Sequence, residues 1–321
     1  MCSSSEMAYN SKALAEPVQK EDGSFLFRFR NETGEGTITA YEVFPGVTLA
    51  YNDFHMSYYY SEFVPDRDVF CIDHCREGRL EYSSGNNTYS YVEAGDLKLD
   101  RRLTHVKRFE MPLSHYHGAM VAIDLRIARK SLPETMKDFP VDVGRLCEKF
   151  CAGIYPNVIH EPASIEHIFG ELYGVPEKIK KAYFKTKIME LLLYLDALEL
   201  PDLPEEKPYF YKAQVEKTKA VKRFLEEHMQ ESYTQEWLAG QFDISITALK
   251  KCFKSVYGIP IGSWMLQYRM NYAAELLNSR SSISIAQLAG EVGYESQSKF
   301  AMAFRKVMGM SPTEYRSRRM S

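Results

Sequence analysis

The sequence predicts an α+β multidomain fold, in which a strand-rich N-terminal half and a short helical segment precede an all-helical C-terminal domain. Three observations lead to this prediction. The spacing of apolar residues changes from two to three or four near residue 142, a proline- and acid-rich stretch covers 200–208, and a two-helix pattern occurs twice after residue 233. With 321 residues the chain is long for one domain and sufficient for two.

The N-terminal half is rich in Tyr, Phe, Val and Thr in short runs separated by turn residues. Alternating β-formers between Gly, Asn, Asp and Pro clusters are typical of antiparallel strands and hairpins. Strands so numerous and short indicate a barrel or jelly roll. The runs are FLFRFR (25–30), VTLAYNDF (47–54), DVFCIDHC (68–75), RLEYSSGNNTYSYVEAGDLKLD (79–100) and GAMVAIDL (118–125).

The segment from 142 to 200 has helical spacing. Short helices are predicted over 143–151 and 164–173, and a longer amphipathic helix within 175–200. A helix with such an apolar stripe is a candidate surface for homodimerisation. The stripe comprises Ile179, Tyr183, Ile188, Leu191, Leu192 and Leu195.

These changes of pattern divide the chain into five parts. They are a flexible tail (1–23), a strand-built domain (24–140), a helical dimerisation segment (141–199), a linker (200–213) and a helical domain (214–321).

Charge is distributed unevenly over these parts. Residues 210–321 contain 16 Lys and Arg against 10 Asp and Glu, a net charge of +6, whereas the remainder carries −9 and the whole chain −3. A basic third on an acidic body favours a polyanionic partner for that third alone. The simpler alternative is that these lysines only keep exposed helix faces in contact with water and bind no polyanion.

Several protein classes are disfavoured by the sequence. It has no run of eighteen apolar residues and no apolar leader behind a basic start, so we expect a cytoplasmic protein without a membrane partner. The six cysteines include two pairs at four-residue spacing, Cys71/Cys75 and Cys147/Cys151. About 13 Å separates the first pair on an extended strand, too far for a disulfide, so core packing is the favoured interpretation of both pairs.

The C-terminal pattern consists of TQEWLAGQFDISITALKKCFKSVYG (234–258) and SIAQLAGEVGYESQSKFAMAFRKVMG (284–309). Each copy begins with a hydroxyl residue that can cap a helix, continues with Leu-Ala-Gly and a tight turn, and then has a second capping serine. Apolar anchors four residues apart follow, and each copy ends on a glycine. Two helices joined by a short turn form a helix-turn-helix, whose second helix enters the major groove of DNA.

The second helix of each copy supplies the predicted DNA contacts. If Leu249 and Phe300 face the core, the opposite faces present polar side chains to bases and phosphates. A long amphipathic helix over 261–278 fixes the two copies relative to each other, about 34 Å apart on DNA. The predicted DNA-binding residues are Ile246, Thr247, Lys250, Lys251, Lys254, Gln297, Ser298, Lys299, Met302, Arg305 and Lys306.

Essentially the whole C-terminal domain, including the weaker first copy and the connecting helix with Arg269, resembles the AraC/XylS family of bacterial transcription regulators. The resemblance rests on Ile285-Ala286-x-Leu288-Ala289-x-x-x-Gly293-Tyr294-x-Ser296-x-Ser298-x-Phe300-x-x-x-Phe304-Arg305-x-x-x-Gly309-x-Ser311-Pro312-x-x-Tyr315-Arg316. It implies a DNA-reading unit that contacts two successive major grooves, usually attached to an effector-sensing or dimerising domain. Met302 departs from the family, where a basic or polar residue is common.

The same resemblance implies a cupin-like barrel in the N-terminal half. Glu93-Ala94-Gly95-Asp96-Leu97 is similar to a Gly-Asp turn of such barrels, and Pro112-Leu113-Ser114-His115-Tyr116-His117-Gly118 to a motif of some of these regulators. We expect His115, His117, Tyr58, Tyr60, Tyr82 and Tyr91 to contact an organic effector. A metal at His115 and His117, joined by His105 or Asp124, is one alternative, but the usual glutamate is absent. Plain structural hydrogen bonding by the two histidines is another, and strand propensity explains the tyrosines equally well.

The sequence thus predicts a sequence-specific DNA-binding transcription regulator whose barrel binds a small-molecule effector. The expected partners are double-stranded DNA, that effector, a second copy of the chain and, for an activator, RNA polymerase. No catalytic constellation and no cofactor motif is recognisable, so we do not expect an enzyme. The alternatives are a metal-dependent cupin enzyme with a DNA-binding tail and a DNA-binding protein that needs no effector.

Overall fold

The computed structural model describes residues 18–60, 68–85, 87–102, 108–135, 137, 139–153, 156–160, 163–199, 209–280 and 282–318. The chain divides into two compact units, Met1–Tyr209 and Phe210–Ser321. The predicted tail before residue 18 and the core of the predicted linker, 200–208, lie outside the described residues. None of the described helices combines the length and apolar character needed to cross a bilayer.

The first unit contains an antiparallel sheet that curls into a half-barrel, which confirms the predicted strand-rich N-terminal fold. Strands β2, β3, β4, β10 and β6 follow one another across the sheet. The strands are β1 (Val18–Gln19), β2 (Phe25–Asn31), β3 (Gly34–Phe44), β4 (Val47–His55), β5 (Tyr58–Tyr60), β6 (Val69–Gly85), β7 (Thr88–Glu93), β8 (Leu97–Arg101), β9 (Arg108–Glu110), β10 (Tyr116–Asp124) and β11 (Asn157–Ile159).

Strand β6 is divided by a bulge and pairs with different strands on its two sides. It pairs with β10 and β8 in its first half and with β7 in its second. His117 lies opposite Glu77 whereas Gly118 lies opposite Cys75, so Arg76 is the extra residue. A bulge shifts the alternation of side chains by one. The inner face therefore receives Cys71 and Cys75 before the bulge and Leu80 after it.

Helices cover the outer face of this sheet. Ala119, Val121 and Ile123 of β10 belong to the outer core, whereas Tyr116 and Met120 belong to the inner one. The helices are α1 (Leu125–Thr135), α2 (Val143–Phe150), α3 (Ala163–Leu172) and α4 (Lys180–Ala197), with a 3₁₀ turn at Glu177–Ile179 before α4.

The apolar stripe that we interpreted as a dimer surface is mostly buried within the unit. Ile188, Leu191, Leu192 and Leu195 are completely buried in the outer core, whereas Tyr183 is partly exposed and Ile179, which precedes the helix, is 47% exposed. A helix beside a half-covered sheet gains more by burying its apolar side there than by leaving it in water. The stripe is therefore not available as a dimer interface.

The paired cysteines lie in or beside the two cores of the first unit. Cys71, Cys75, Cys147 and Cys151 are free thiols, and the first three are buried. Burial raises the pKa of the Cys71 thiol to about 12. This agrees with the predicted core role, because a thiol that stays protonated is a poor nucleophile and a poor metal ligand.

The second unit is helical after a two-residue strand, β12 (Phe210–Tyr211). Helix α8 lies at its centre and contacts α7, α9, α10 and α11. The helices are α5 (Lys212–Glu227), α6 (Gln235–Gln241), α7 (Ile246–Tyr257), α8 (Ile261–Ser279), α9 (Ile285–Glu291), α10 (Gln297–Met308) and α11 (Pro312–Ser317).

Candidate nucleic-acid interface

Two helix-turn-helix pairs, α6–α7 and α9–α10, begin at the residues that the sequence indicates. The Thr234 hydroxyl accepts the Trp237 N–H at 3.1 Å, and the Ser245 hydroxyl accepts the Ala248 N–H at 3.2 Å. In the second pair Ser284 and Gln287 form a reciprocal capping box at the start of α9. Each cap satisfies an amide that would otherwise lack a partner and so fixes where the helix begins.

The turn inside each pair uses a left-handed backbone at the same position. Asp243 has φ of 48° in the first pair and Gly293 has φ of 76° in the second. Only glycine, and less readily Asp or Asn, adopts this conformation without a large penalty. A Cβ atom on Gly293 would lie 2.4 Å from the carbonyl oxygen of Gln230, so glycine is also required there by close packing.

Arg269 of α8 connects the central helix to the segment between α5 and α6. Its Nε donates to the Met229 carbonyl and its Nη2 to the Glu231 carbonyl, both at 2.8 Å. The guanidinium also lies 5.9 Å from the centre of the Tyr294 ring, in the turn of the second pair. This one side chain thus links the segment that precedes the first helix-turn-helix pair to the turn of the second pair.

The second helix of each pair buries one side and presents the other to solvent. In α7, Leu249, Cys252 and Phe253 are completely buried; in α10, Phe300 and Phe304 are. The opposite sides are exposed, with Ile246 partly so. The exposed residues predicted to contact DNA are Thr247, Lys250, Lys251 and Lys254 in α7 and Gln297, Ser298, Lys299, Met302, Arg305 and Lys306 in α10.

The two faces differ in chemistry. The side chains exposed on α7 are mainly cationic, whereas α10 presents an amide, a hydroxyl and a single lysine near its N-terminus. Met302 is 72% exposed in the middle of α10. A large apolar side chain left in water on a helix facing outward is a feature of contact surfaces.

The first unit contains a small, partly open cavity on the inner face of the half-barrel. Its volume is about 30 Å³, room for one or two water molecules. Aromatic and charged groups converge on it: Asn52, Phe54, Tyr59, Asp73, Leu80, Lys98, Arg102, Phe109, Met111, Tyr116 and Met120 line it. Lys98 Nζ lies 2.8 Å from Asp73 Oδ2 and 2.9 Å from Asp100 Oδ1, and attraction by these carboxylates outweighs burial and raises the lysine pKa.

None of the six residues predicted to contact an effector lines this cavity. Tyr82 packs in the inner core near it, whereas Tyr91 donates to Glu81 Oε2 at 2.8 Å. Tyr58 and Tyr60 lie under the Arg108 guanidinium, 4.1 and 5.7 Å from their ring centres.

The two predicted histidines lie elsewhere. His115 Nδ1 lies 3.1 Å from the Leu113 carbonyl, and His117 lies on the outer face beside Asp53. Of the proposed additional metal ligands, His105 lies outside the described residues, and Asp124 accepts the Arg126 N–H at 3.0 Å.

Sequence reasoning missed the charged group on the inner face. Leu97-Lys98-Leu99-Asp100 alternates apolar and charged residues, which indicates a strand with one face exposed to solvent. In the structure that face is the inner one, and Lys98 is only 5% exposed. The curling of the sheet encloses a face that alternation alone would assign to solvent.

A second opening in this unit lies between α1 and α2 and is much larger. Its volume is about 490 Å³, within the range of sites for small organic molecules. The lining includes Arg129, Pro133, Phe139 and Arg145. Helix α1 was not predicted, because its residues continue directly from β10 without a turn signal.

Comparison with known proteins finds a family match within the second unit. A helix-turn-helix domain family matches residues 238–318. The virulence regulon transcriptional activator VirF of Yersinia enterocolitica is 35% identical over 96 residues, 29% of this chain and 35% of that protein. The HTH-type transcriptional regulator ExsA of Pseudomonas aeruginosa is 35% identical over 97 residues, 29% of this chain and 33% of that protein. The chain thus spans about a third of the length of the curated relatives it matches.

Among solved structures, the C-terminal domain of AraT, a response regulator from Geobacillus stearothermophilus, is 32% identical. The match covers 32% of this chain and 84% of that one, with a TM-score of 0.30. The residues matched by the helix-turn-helix family, 238–318, run from the first helix of the first pair through the central helix and the second pair. The second unit of this chain is therefore a helix-turn-helix domain of the AraC family of transcription regulators.

Proposed function

We propose that the chain is a sequence-specific transcription regulator that inserts α7 and α10 into two successive major grooves of double-stranded DNA. One observation carries the proposal: two capped helix pairs of matching geometry are fixed to one central helix, and each second helix exposes a polar face. A net charge of +6 on residues 210–321 supplies attraction to phosphates.

The exposed residues divide by position along each helix. Thr247, Lys250, Gln297 and Lys299 lie near the N-terminal ends, where side chains reach base edges. Residues of the later turns contact phosphates on either side of the groove: Lys254, Arg305 and Lys306.

Binding is tested on a duplex selected by the full-length chain from a random library. Lys250→Ala and Lys299→Ala should each weaken binding and leave the melting temperature nearly unchanged, because both side chains are exposed. Each phosphate contact that is lost should lower the salt slope by about one, whereas a lost base contact should relax sequence preference at one position. Lys212→Ala removes the same charge at an exposed position of α5 and serves as the control.

Fluorescence anisotropy over a range of salt concentrations gives affinity and slope together. Equal affinity for the two variants and the control would contradict the assignment of α7 and α10. Unfolding of either variant would show that the faces of the helices have been assigned wrongly.

We further propose that the first unit binds a small-molecule effector that controls DNA binding. The inner cavity offers convergent polar groups but only about 30 Å³, so an organic ligand must widen it, whereas the opening between α1 and α2 already offers about 490 Å³. Ligand binding raises the stability of the folded state, so a thermal-shift screen of metabolites identifies candidates. Arg102→Gln should abolish the shift for a ligand of the inner cavity, and Arg145→Gln for a ligand of the helical opening.

We also propose that the chain forms a homodimer, through residues other than the buried stripe of α4. Leu193 and Tyr194 of α4 are 42% and 41% exposed on the side away from the core. Sedimentation of the full chain at micromolar concentration, with and without DNA, should show a dimer that Leu193→Lys dissociates. A monomer under both conditions would exclude this part of the proposal. For an activator, contact with RNA polymerase follows as a further expectation.

A further inference from the structure

A cluster of two histidines and a carboxylate lies on the outer face of the half-barrel, whereas the small cavity lies on the inner face. Asp53 and His55 are two residues apart on β4 and therefore point the same way. His117, on the neighbouring strand β10, pairs directly with Asp53. The two ladders thus bring three side chains from two strands to one point.

The atoms of this cluster are spaced for a metal ion. Asp53 Oδ1 lies 3.0 Å from His55 Nε2 and 3.1 Å from His117 Nε2, and the three ligand atoms all lie within 4.8 Å of one another. Ligands about 2.1 Å from a tetrahedral zinc ion are about 3.4 Å apart, so small side-chain rotations suffice. The buried Nε2 of His117 has no hydrogen bond with acceptable geometry, which leaves its lone pair available.

A second carboxylate lies behind His117. Glu77 pairs with His117 from β6, and its Oε2 lies 3.7 Å from His117 Nδ1. At this distance the two groups form an ion-pair contact without a hydrogen bond, and a small side-chain rotation would let Glu77 accept the Nδ1 proton. A carboxylate in that position holds the other ring nitrogen as the ligand and makes it more basic. The bulge at Arg76 produces this pairing, because without it β6 would present Glu77 to the other face.

We propose that Asp53, His55 and His117 bind one divalent transition-metal ion, Zn²⁺ or a cation of similar preference, with Glu77 orienting His117. Two imidazoles and one carboxylate suit such ions, and side-chain exposures of 57% for Asp53 and 62% for His55 leave a coordination position open to water. A bound ion would link β4 to β10. It would therefore stabilise the first unit against unfolding.

The site differs from the one that the sequence suggested. His117 is shared, but the remaining ligands come from β4 rather than from His115, His105 or Asp124. It is also on the outer face, so it does not make the half-barrel interior a metal-dependent catalytic centre.

The test is calorimetric titration of the untagged, reduced, full-length chain with Zn²⁺, and with Co²⁺ read by its visible absorption. We expect one equivalent to bind and the melting temperature of the first unit to rise. His55→Ala and His117→Ala should each weaken binding by more than tenfold, and Glu77→Gln by about tenfold. His55 is largely exposed, so its variant should fold normally.

His160→Ala is the matched control, because His160 lies with Glu93 and Asp96 in a second group of potential ligands. It should leave affinity and the Co²⁺ spectrum unchanged. The proposal is overturned if no ion binds, if binding survives both His55→Ala and His117→Ala, or if His160→Ala alone removes it.

Discussion

At the scale of single residues, the burial of His74 makes the stability of the first unit depend on pH. Its ring stacks on Phe169 with 4.4 Å between centres and is 5% exposed. Removal from water lowers the His74 pKa from 6.5 to about 4, against an opposing attraction from Asp96. The folded chain therefore holds this imidazole neutral at a pH where the unfolded chain would protonate it.

The first unit should consequently lose stability as the pH falls from about 6.5 to about 4. In that window the unfolded chain binds more protons than the folded chain, so the free energy of unfolding rises with pH. Across this window, His74 alone should change the free energy of unfolding by an amount on the order of 3 kcal/mol. His74→Leu should flatten the pH dependence of denaturant unfolding. Parallel profiles for the wild type and His74→Leu would refute this explanation.

Gly293 and Gly290 are three residues apart and respond to different constraints. Gly293→Ala should destabilise the second unit by at least about 1–2 kcal/mol, from the left-handed backbone alone. The contact of the new methyl with the Gln230 carbonyl oxygen adds to this. Gly290→Ala meets no atom within 4 Å on α9 and should be neutral or stabilising by up to about 1 kcal/mol. Thermal unfolding of both variants measures the contrast, and equal effects would contradict it.

At the scale of elements, the helix starts of the second unit were predictable because caps are local. The hydroxyl and the amide it accepts are three residues apart, so the sequence alone contains the interaction. The bulge in β6 was not predictable in this way. It depends on how β6 pairs with β10, and that pairing joins residues about forty positions apart.

Ser284→Ala should lower the free energy of unfolding of the second unit by about 1 kcal/mol, because the Gln287 amide loses its acceptor at the start of α9. The variant should bind DNA less well only to the extent that a smaller fraction of the protein is folded. Ser298→Ala is the complementary change, since Ser298 is exposed on α10 and caps no helix. It should weaken DNA binding and leave unfolding unchanged. If Ser284→Ala instead weakened DNA binding alone and Ser298→Ala instead destabilised the second unit, the roles assigned to the two serines would be wrong.

At the scale of the whole molecule, each unit has its own core and its own charge. The core around α8 in the second unit combines Met270, Leu277, Leu288, Phe300 and Phe304. Residues 210–321 should therefore fold alone and bind the selected duplex specifically, with a steep salt dependence. Residues 18–209, with their excess of acidic groups, should not bind it. An unfolded 210–321 fragment would show that this unit depends on the first.

The sequence by itself determined the helix-turn-helix pairs, their caps and the faces of α7 and α10, because these rest on interactions within a few residues and on a period of 3.6. Tertiary structure alone decided which apolar and charged faces became enclosed. It buried the stripe of α4 that the pattern offered as a dimer surface, enclosed Lys98 and Asp73 on the inner face, and brought Asp53, His55 and His117 together. The physical reason is the same in each case. Pairing and curling of strands distant in sequence set which side chains meet, and no local pattern contains that information.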